Sequence, residues 1–465
     1  MPTVVSGTVT YSAVNISYFI GDFAVARYNA NGTLDTTFHG NGTLTTYFGG
    51  NNMSPTGVVL QADGRILVAG SGYNRNSNTN DFALVRHNSD GSLDTTFSGN
   101  GKVLTDFSSG YDSGNSIKIQ SDGKILVAGT SGTVVSDGTS NNNFALARYN
   151  ADGSLDTSFD GDGKLTTDFG GGETGSSVAV QADGKILVAG YASSSFTYGY
   201  SSKSTKNNFA VARYNIDGSL DTTFDADGKL TTDFGTSDAT DSVSGSGQFG
   251  GLVGTSGGSS YATDSVSGSS HFGGLVGNIG TTSYATSSIV QCDGKILVVG
   301  SSSLLSLTGN NTLTTLNSDF AIARYNADGT LDTTFHGDGK LTTDFGGSAD
   351  SARTVILQSD GKILVAGNSA KTGGNSDFAL AQYNVDGSLD TTFHGDGRFT
   401  MDFGGAADVA YSISVLGDGK ILVGGVSTID GNGDFALARL NPDGTLDTTF
   451  GASGVRHTLY TLKVG

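Results

Sequence analysis

Short apolar runs separated by Asp-Gly turns form the dominant pattern of the chain. Three such runs fall within residues 353–383: RTVILQ, KILVAG and FALAQY. Apolar runs on either side of a turn in which glycine takes positive φ are typical of β-hairpins. A further stretch, Leu389 to Phe403, supplies a fourth strand that is interrupted near Gly395. The pattern therefore predicts four antiparallel strands joined by tight turns.

The same segment recurs along the whole chain. Seven copies of the third-strand phrase open at Phe23, Phe82, Phe144, Phe209, Phe320, Phe378 and Phe435. The second-strand phrase QADGKILVAG opens at Gln61, Gln120, Gln181, Gln291 and Gln358 and, in altered form, at Leu416. A period of about 60 residues is typical of a repeat architecture. Radial repetition of four-stranded antiparallel sheets predicts an all-β fold, a seven-bladed β-propeller.

The first blade is incomplete in the sequence and has to be completed from the chain ends. Val14 to Ile20 is a degenerate match to KILVAG, and Val455 to Val464 reads as one more strand. We expect the termini to close the ring, because closure leaves no sheet edge exposed. The alternative is an open β-solenoid.

The interval between Phe209 and Phe320 is nearly twice as long as the others because it contains a second repeat. The segment from Asp238 to Gly254 returns as Tyr261 to Gly277. The chain is thus divided into residues 1–237, the first propeller part, 238–283, the insertion, and 284–465, the second propeller part. An insertion at a loop costs little closure entropy, so the propeller is expected to resume intact after it.

Composition agrees with an all-β chain. There are 72 glycines, and Glu173 is the only glutamate among 44 acidic residues. Glutamate favours helices, whereas aspartate and glycine favour turns. The net charge of −19 argues against nucleic-acid and anionic-membrane partners, which need basic patches. It leaves two interpretations of the aspartates, solubility or divalent-cation binding.

Few features point to a cellular location. Cys292 is the only cysteine, so no disulfide framework is possible. No apolar run is long enough to span a bilayer, and the chain carries no signal-peptide pattern. The low lysine and high serine, threonine, asparagine and glycine content is typical of bacterial extracellular proteins. We expect an extracellular or cell-surface protein that forms a monomeric ring.

Aspartate is the candidate metal ligand. Asp160 with Asp162, and Asp225 with Asp227, resemble fragments of calcium loops, in which carboxylates at alternate positions surround the ion. A complete loop of that kind ends in a glutamate, and none follows here. The competing interpretation is that these aspartates cap turns through their own side chains. Calcium is therefore the one cofactor considered, and no other cofactor is expected.

No catalytic constellation emerges from the sequence. His39, His336 and His394 share one repeat position, but equivalent positions in a ring lie far apart, so these histidines are expected to be exposed loop residues. No spacing indicates a Ser-His-Asp triad. The repeated arginine of FALARY is expected to pair with a neighbouring aspartate between blades.

Loop lengths give the strongest functional indication. The turns after the first and third strands hardly vary, whereas the connections from second to third strand do, and these are residues 71–81, 130–143, 191–208 and 301–319. Both these connections and the insertion are predicted to lie on one face. Variable loops on a rigid scaffold usually carry binding, although tolerated drift on a neutral face would give the same pattern.

Two family resemblances follow from these phrases. QADGKILVAG followed by FALARYNADGSLDTTF resembles the delta-60 repeat of bacterial β-propellers and covers most of the chain. The FGGLVG units at 249–254 and 272–277 are similar to the GLUG motif of bacterial surface proteins and adhesins. These resemblances imply a secreted or surface-attached bacterial protein, and neither supplies a catalytic residue.

The sequence alone favours a non-enzymatic binding or adhesion scaffold that recognises a protein or glycan through its variable loops. The first alternative is a calcium-dependent hydrolase or lyase of propeller type acting at the central channel. The second is a purely structural module of a larger surface protein.

Overall fold

The computed structural model describes residues 8–12, 23–48, 54–75, 78–107, 110–134, 140–198, 202–235, 277–307, 313–370, 374–404, 407–429, 432–451 and 454–458. Within these ranges every regular element is a β-strand. No helix in them could cross a membrane.

The strands form antiparallel sheets in chain order. The first sheet contains β1 (Thr8–Ser12), β2 (Phe23–Asn29) and β3 (Thr43–Thr46). The second contains β4 (Ser54–Leu60), β5 (Ile66–Asn74), β6 (Thr79–His87) and β7 (Lys102–Thr105). The third contains β8 (Asp112–Ile119), β9 (Ile125–Val134), β10 (Ser140–Tyr149) and β11 (Lys164–Thr167).

The same order continues through the second half of the chain. The fourth sheet contains β12 (Glu173–Val180), β13 (Ile186–Tyr198), β14 (Ser202–Tyr214) and β15 (Lys229–Thr232). The fifth contains β16 (Gly277–Val290), β17 (Ile296–Leu307), β18 (Leu313–Tyr325) and β19 (Lys340–Thr343). The sixth contains β20 (Ala349–Leu357), β21 (Ile363–Ala370), β22 (Ser376–Tyr383) and β23 (Arg398–Met401). The last contains β24 (Asp408–Val415), β25 (Ile421–Ile429), β26 (Asn432–Leu440) and β27 (Val455–Thr458). One parallel bridge, Ser318 to Ala349, links the fifth and sixth sheets.

The core lies between successive sheets, which explains why the second and third strands are apolar on both faces. Between the second and third sheets, Leu67 and Phe82 of one pack with Ile125 and Ala147 of the other, and all four are buried. Equivalent clusters fill the other spaces between neighbouring sheets. A strand covered on both sides needs apolar residues at consecutive rather than alternate positions.

The first and last sheets also contact each other. Ala26 and Tyr28 of β2 lie in one buried cluster with Leu422, Phe435 and Phe450 of the last sheet. Arg439 Nη1 donates a hydrogen bond to the Ala30 carbonyl, 2.7 Å away. The two ends of the repeat array are therefore neighbours in space.

Six third-strand arginines make the same set of contacts, and they are Arg27, Arg86, Arg148, Arg213, Arg324 and Arg439. Each Nε donates to the aspartate eight residues later at 2.6–2.8 Å. Each Nη1 donates to a backbone carbonyl of the adjoining sheet. Each guanidinium also lies over a phenylalanine ring, 4.4–4.7 Å from its centroid. The predicted Arg–Asp pair is thus confirmed but lies within a sheet, and the link between sheets runs from arginine to backbone.

A second polar contact joins neighbouring sheets through the last residue of the third strand. The hydroxyl groups of Tyr149, Tyr214, Tyr325 and Tyr383 bond a threonine on the fourth strand of the preceding sheet at 2.7–2.8 Å. His87 takes this place in the second sheet, with Nε2 3.1 Å from Thr46 Oγ1. In the last sheet both partners are apolar, Leu440 and Met401, and they pack in one cluster. Replacing both partners together leaves no unsatisfied polar group.

Each first strand of the second to last sheets contains a β-bulge. The second-strand glycine opposite it has no room for a side chain, since a Cβ at Gly367 would lie 1.9 Å from the Ser351 carbonyl oxygen. The extra residues of the bulges have no partner across the ladder, and they are Thr56, Asn115, Ser176, Thr286, Arg353 and Tyr411. A bulge breaks the alternation of the strand and so re-aims the side chain of its extra residue.

One expectation from the sequence needs revision, and two others fall wholly or mostly outside the described residues. Thr8–Ser12 pairs with β2, and Val14 to Ile20, the degenerate match to KILVAG, lies outside the described residues. Most of the variable second-to-third connections are paired strand, as in the hairpin of β13 and β14, because backbone pairing there does not need apolar side chains. The described part of the insertion, residues 277–283, belongs to β16, and residues 236–276 are outside the described ranges.

We expect His87→Tyr to increase stability in acid. Burial lowers the pKa of His87 to about 4, against 6.5 for an ordinary histidine. A base with a lowered folded-state pKa binds fewer protons when folded, so its contribution to stability is lost as the pH falls from 6.5 toward 4. Tyrosine does not titrate there. The free-energy gap between variant and wild type should widen over this interval by up to about 3 kcal/mol in urea unfolding. A gap independent of pH would refute this assignment.

We expect Arg324→Gln to lower the free energy of unfolding by about 2 kcal/mol, because the buried Asp332 loses its charged donor and the Val385 carbonyl loses a bond. The matched change is Gln382→Arg, which installs the arginine that the sixth sheet lacks and should not destabilise the chain. Chemical unfolding of both variants tests this. An Arg324→Gln protein as stable as wild type would show that Lys295, 2.6 Å from Asp332, suffices alone.

Candidate functional site

The sequence-predicted calcium candidates lie in tight turns before the fourth strands. Asp160 and Asp225 adopt left-handed backbone, with φ of 48° and 47°. The carboxylates of Asp162 and Asp227 accept the backbone N–H of Lys164 and Lys229, both at 2.9 Å. Burial raises the pKa of Asp160, with Asp162 and Asp217 adding to the effect. These contacts agree with the turn interpretation, and calcium binding at the four residues stays a prediction.

The three histidines that share a repeat position also lie in these turns. His39, His336 and His394 all have positive φ, between 49° and 51°. Each backbone N–H donates to a turn carbonyl of the next sheet, those of Asp90, Asp386 and Asp443. The shared position therefore supplies a backbone hydrogen bond to the next sheet. This agrees with the prediction that the three histidines lie in separate loops.

Carboxylates cluster at the opposite end of the sheets, where the sequence analysis named no site. One acid lies in the third strand, directly before its repeated phenylalanine, one follows the fourth strand, and one lies at the start of the first strand of the next sheet. We call these sets the junction triads, and they are Asp81, Asp106 and Asp112; Asp319, Asp344 and Asp350; and Asp377, Asp402 and Asp408. In each triad, one oxygen from every residue lies within 4.8 Å of the other two. Each triad could hold a metal ion.

The acid on the first strand is the buried member of each junction triad. Asp112, Asp350 and Asp408 are at most 1% exposed. One oxygen of each accepts a backbone N–H, from Phe107, Phe345 and Phe403 at 2.7–2.8 Å. The other oxygen, Oδ1, is buried and makes no hydrogen bond of normal geometry among the described residues. A serine hydroxyl on the paired second strand, Ser131, Ser369 or Ser427, lies beside each carboxylate and works to lower its pKa. A buried carboxylate oxygen without a partner is costly, which marks these positions as unusual.

Electrostatic repulsion is visible at the same places. Burial, with a smaller contribution from the neighbouring Asp81 and Asp106, raises the pKa of Asp112 to about 6. Burial likewise raises the pKa of Asp319 to about 6, with Asp344 and Asp350 adding to the effect. Several like charges in a low-dielectric junction cannot all ionise without a compensating positive charge.

At two further junctions, donors from this chain bind the carboxylate. Between the third and fourth sheets, Glu173 Oε1 accepts the Gly171 N–H at 2.8 Å, and the Asn143 amide, oriented to donate, reaches Oε2 at 3.1 Å. Between the fourth and fifth sheets, Lys206 Nζ lies 2.6 Å from Asp233. Although burial opposes it, the hydrogen bonds from Lys206 and Thr281 lower the pKa of Asp233.

The bulge residues provide the other unusual group. Thr56, Asn115 and Thr286 donate to a carbonyl on the first strand of the next sheet, at 2.6–2.8 Å. Arg353 instead lies beside Tyr411 on the next first strand, with its guanidinium carbon 5.9 Å from the ring centroid. Its Nε is buried and has no partner among the described residues, while Tyr411 is 38% exposed.

Arg353 and Tyr411 stand three residues after Asp350 and Asp408 on their strands. At about 3.3 Å per residue, the Arg353–Tyr411 pair lies roughly 10 Å from the two junction triads of this sector. Sequence reasoning missed this pair because it treated the first strands as uniformly apolar. The signal available was the replacement of Thr, Asn or Ser by Arg and Tyr at one repeat position.

Comparison with known proteins identifies a related family and related folds. The model of the "Domain of unknown function (DUF5122) beta-propeller" matches residues 17–38, 61–97, 120–159, 181–224, 315–335, 358–393 and 416–450. No curated protein matches the sequence. A solved ulvan lyase of polysaccharide lyase family PL25 has 11% identity and a TM-score of 0.50, and the match covers 94% of this chain and 90% of that one. The same type of enzyme bound to a -[GlcA(1-4)Rha3S]- oligosaccharide has 11% identity and a TM-score of 0.49, with the same coverage.

These findings correct the prediction of a non-enzymatic adhesion scaffold. A solved structure that shares this fold over 94% of the chain, with a TM-score of 0.50, is a polysaccharide lyase and not an adhesion scaffold. At 11% identity the similarity shows the fold alone, and this fold hosts enzymes as well as binding proteins.

We expect Glu173→Gln to stabilise the protein above pH 7. Burial raises the pKa of Glu173 to about 7, and Asp168 adds to the effect. An acid with a raised folded-state pKa binds more protons when folded, so stability is lost as the pH rises from 4.5 to 7. Glutamine keeps an acceptor for Gly171 and carries no charge. The variant should exceed wild type by about 2 to 3 kcal/mol at pH 8 and by nothing near pH 4.5. Equal stabilities at both pH values in urea titrations would contradict the assignment.

Proposed function

The chain belongs to the DUF5122 β-propeller family, and we propose that it is an enzyme that cleaves an acidic polysaccharide by β-elimination. The observation that carries this proposal is the Arg353–Tyr411 pair. A buried guanidinium nitrogen with no hydrogen-bond partner among the described residues lies there beside an exposed tyrosine, on adjacent first strands.

The unpaired guanidinium suits a substrate carboxylate. Arginine offers its donors in a planar fork that matches a carboxylate, and such charge-assisted bonds are among the strongest in proteins. A chain of net charge −19 repels a polyanion as a whole, so a local positive charge is needed to hold an acidic sugar. Arg353 supplies that charge, and the exposed ring of Tyr411 supplies a surface for the sugar.

The reaction follows from this arrangement. Neutralising the carboxylate of a uronic acid makes the proton on the adjacent carbon, C5, easier to remove. Tyr411, as its phenolate, takes that proton, and the electron pair of the broken C–H bond forms the C4–C5 double bond. The C4–O bond breaks, and the proton returns from Tyr411 to the departing oxygen. The products are a new non-reducing end that is unsaturated and a shortened glycan, so atoms and charges balance.

We place this reaction in the channel of a seven-bladed ring. Three observations support the placement. The first strands of successive sheets exchange hydrogen bonds, as inner strands do. The array has seven third strands, and the first sheet packs against the last. In such a ring the bulge residues lie at the inner edge.

A monomeric protein outside the cell fits a polymeric substrate that does not cross membranes. The delta-60 and GLUG resemblances imply the same location.

The test is to incubate the purified chain with polysaccharides rich in uronic acid. We expect a rise in the ultraviolet absorbance of the C4–C5 double bond, together with new reducing ends. Tyr411→Phe and Arg353→Gln should each reduce the rate by about 100-fold or more. Tyr47→Phe, an exposed tyrosine away from the pair, is the matched control and should leave the rate unchanged.

Other outcomes separate the alternatives. New reducing ends without the double bond would replace elimination by hydrolysis. Cleavage that survives both site variants would move the reaction elsewhere on the propeller. No cleavage of acidic or neutral glycans would overturn the proposal of an enzyme.

A further inference from the structure

We infer that the three junction triads are calcium sites that tie neighbouring sheets together. The proposal concerns Asp81, Asp106 and Asp112; Asp319, Asp344 and Asp350; and Asp377, Asp402 and Asp408. It is independent of the proposed enzymatic function, because ion binding and stability are measured without substrate.

The first argument is the geometry of the oxygens. Calcium takes oxygen ligands at about 2.3–2.6 Å, so ligands on opposite sides of one ion stand up to about 5 Å apart. The triad oxygens lie within 4.8 Å of one another. Three carboxylates from two neighbouring sheets can therefore share one ion, and the exposed Asp344 and Asp402 leave a path to solvent.

The second argument is the oxygen without a partner. Asp112, Asp350 and Asp408 are buried, and in each the Oδ2 atom accepts a backbone N–H. The Oδ1 atom makes no hydrogen bond of normal geometry among the described residues, although a serine hydroxyl (Ser131, Ser369 or Ser427) on the paired second strand lies beside each carboxylate. This repeats at three separate junctions. A bound cation satisfies such an oxygen and removes the repulsion between the carboxylates at once.

The third argument comes from the junctions whose composition differs. Where Asn143 stands in place of the third-strand acid, its amide donates to Glu173. Where Ser283 replaces the buried acid, the Lys206 ammonium group lies 2.6 Å from Asp233. A neutral donor or a cation thus accompanies the carboxylate at both of these junctions. In one complete set the Asn74 amide and the Thr79 hydroxyl donate to Asp81, at 2.5 and 3.2 Å, and neither of these bonds reaches the Oδ1 atom of the buried Asp112.

Two cations near the triads bind backbone carbonyl groups. Lys164 Nζ donates to the backbone carbonyl of Asp106 at 2.9 Å, and Arg398 Nη1 donates to that of Asp344 at 2.6 Å. Both side chains come from the following fourth strand.

The experiment is calcium titration of the metal-free full chain by calorimetry, with native mass spectrometry to count ions. We expect three bound ions and a rise in Tm that EDTA reverses and that sodium chloride of equal ionic strength does not produce. A parallel magnesium titration tests the choice of ion, and calcium should bind more tightly.

Variants assign the sites. Asp112→Asn, Asp350→Asn and Asp408→Asn keep the acceptor for the backbone N–H, and each should remove one ion and part of the calcium-induced rise in Tm. In EDTA each variant should melt at or above the wild-type temperature, which separates lost binding from lost folding. Asp293→Asn, an exposed turn aspartate, is the control and should keep all three ions.

Two results would overturn the inference. One is the absence of a saturable calcium response. The other is a response that persists in the three triad variants and disappears in Asp160→Asn with Asp162→Asn, which would place the ion in the turns instead.

Discussion

The contact between neighbouring sheets is the constraint on which the rest of the structure depends. A single four-stranded sheet with two apolar faces cannot exist alone in water, because each face needs a partner. The third-strand arginine makes the partnership specific. Its Nε holds an aspartate of its own sheet, its Nη1 reaches a carbonyl of the next sheet, and its plane covers a phenylalanine, as Arg148 does with Asp156, Ile216 and Phe159. Apolar packing gives most of the stability, and this contact fixes the angle and register at which sheets meet.

The two ends of the sheets treat charge in opposite ways. At the end of constant turns the aspartate eight residues after the third-strand arginine has charged donors. Asp332 meets both Arg324 and Lys295, and these contacts hold its pKa well below the usual range although burial opposes them. At the other end each junction triad gathers three carboxylates, and burial together with the neighbouring carboxylates raises the pKa of Asp112 and of Asp319. Such strained polar groups are tolerated where something else binds.

The sector formed by the last three sheets combines both kinds of unusual group. Two junction triads and the Arg353–Tyr411 pair lie on β20, β24 and the strands beside them. The bulge makes this possible, because it breaks the alternation of the first strand and releases one side chain per sheet. Three of the other sheets use that side chain for a backbone hydrogen bond to the next sheet. Arg353 and Tyr411 do not, so the sector has lost a structural contact and gained groups that can meet an acidic sugar.

The sequence by itself determined the all-β class, the four-stranded repeat, the turn positions and the Arg–Asp pair. These depend on local chemistry, such as glycine at positive φ in Asp-Gly turns or an aspartate eight residues after Arg86. The tertiary structure alone decided which acids meet. Asp81, Asp106 and Asp112 belong to different strands and two sheets, and no spacing in the chain reveals that their oxygens converge. The long hairpins, such as β17 with β18, also escaped prediction, because their serines and threonines carry no apolar period and pair through backbone alone. The Arg353–Tyr411 pair can be recognised only from the sequence and the tertiary structure together. The repeat position is readable in the sequence, but only the packing of neighbouring first strands brings the two side chains together.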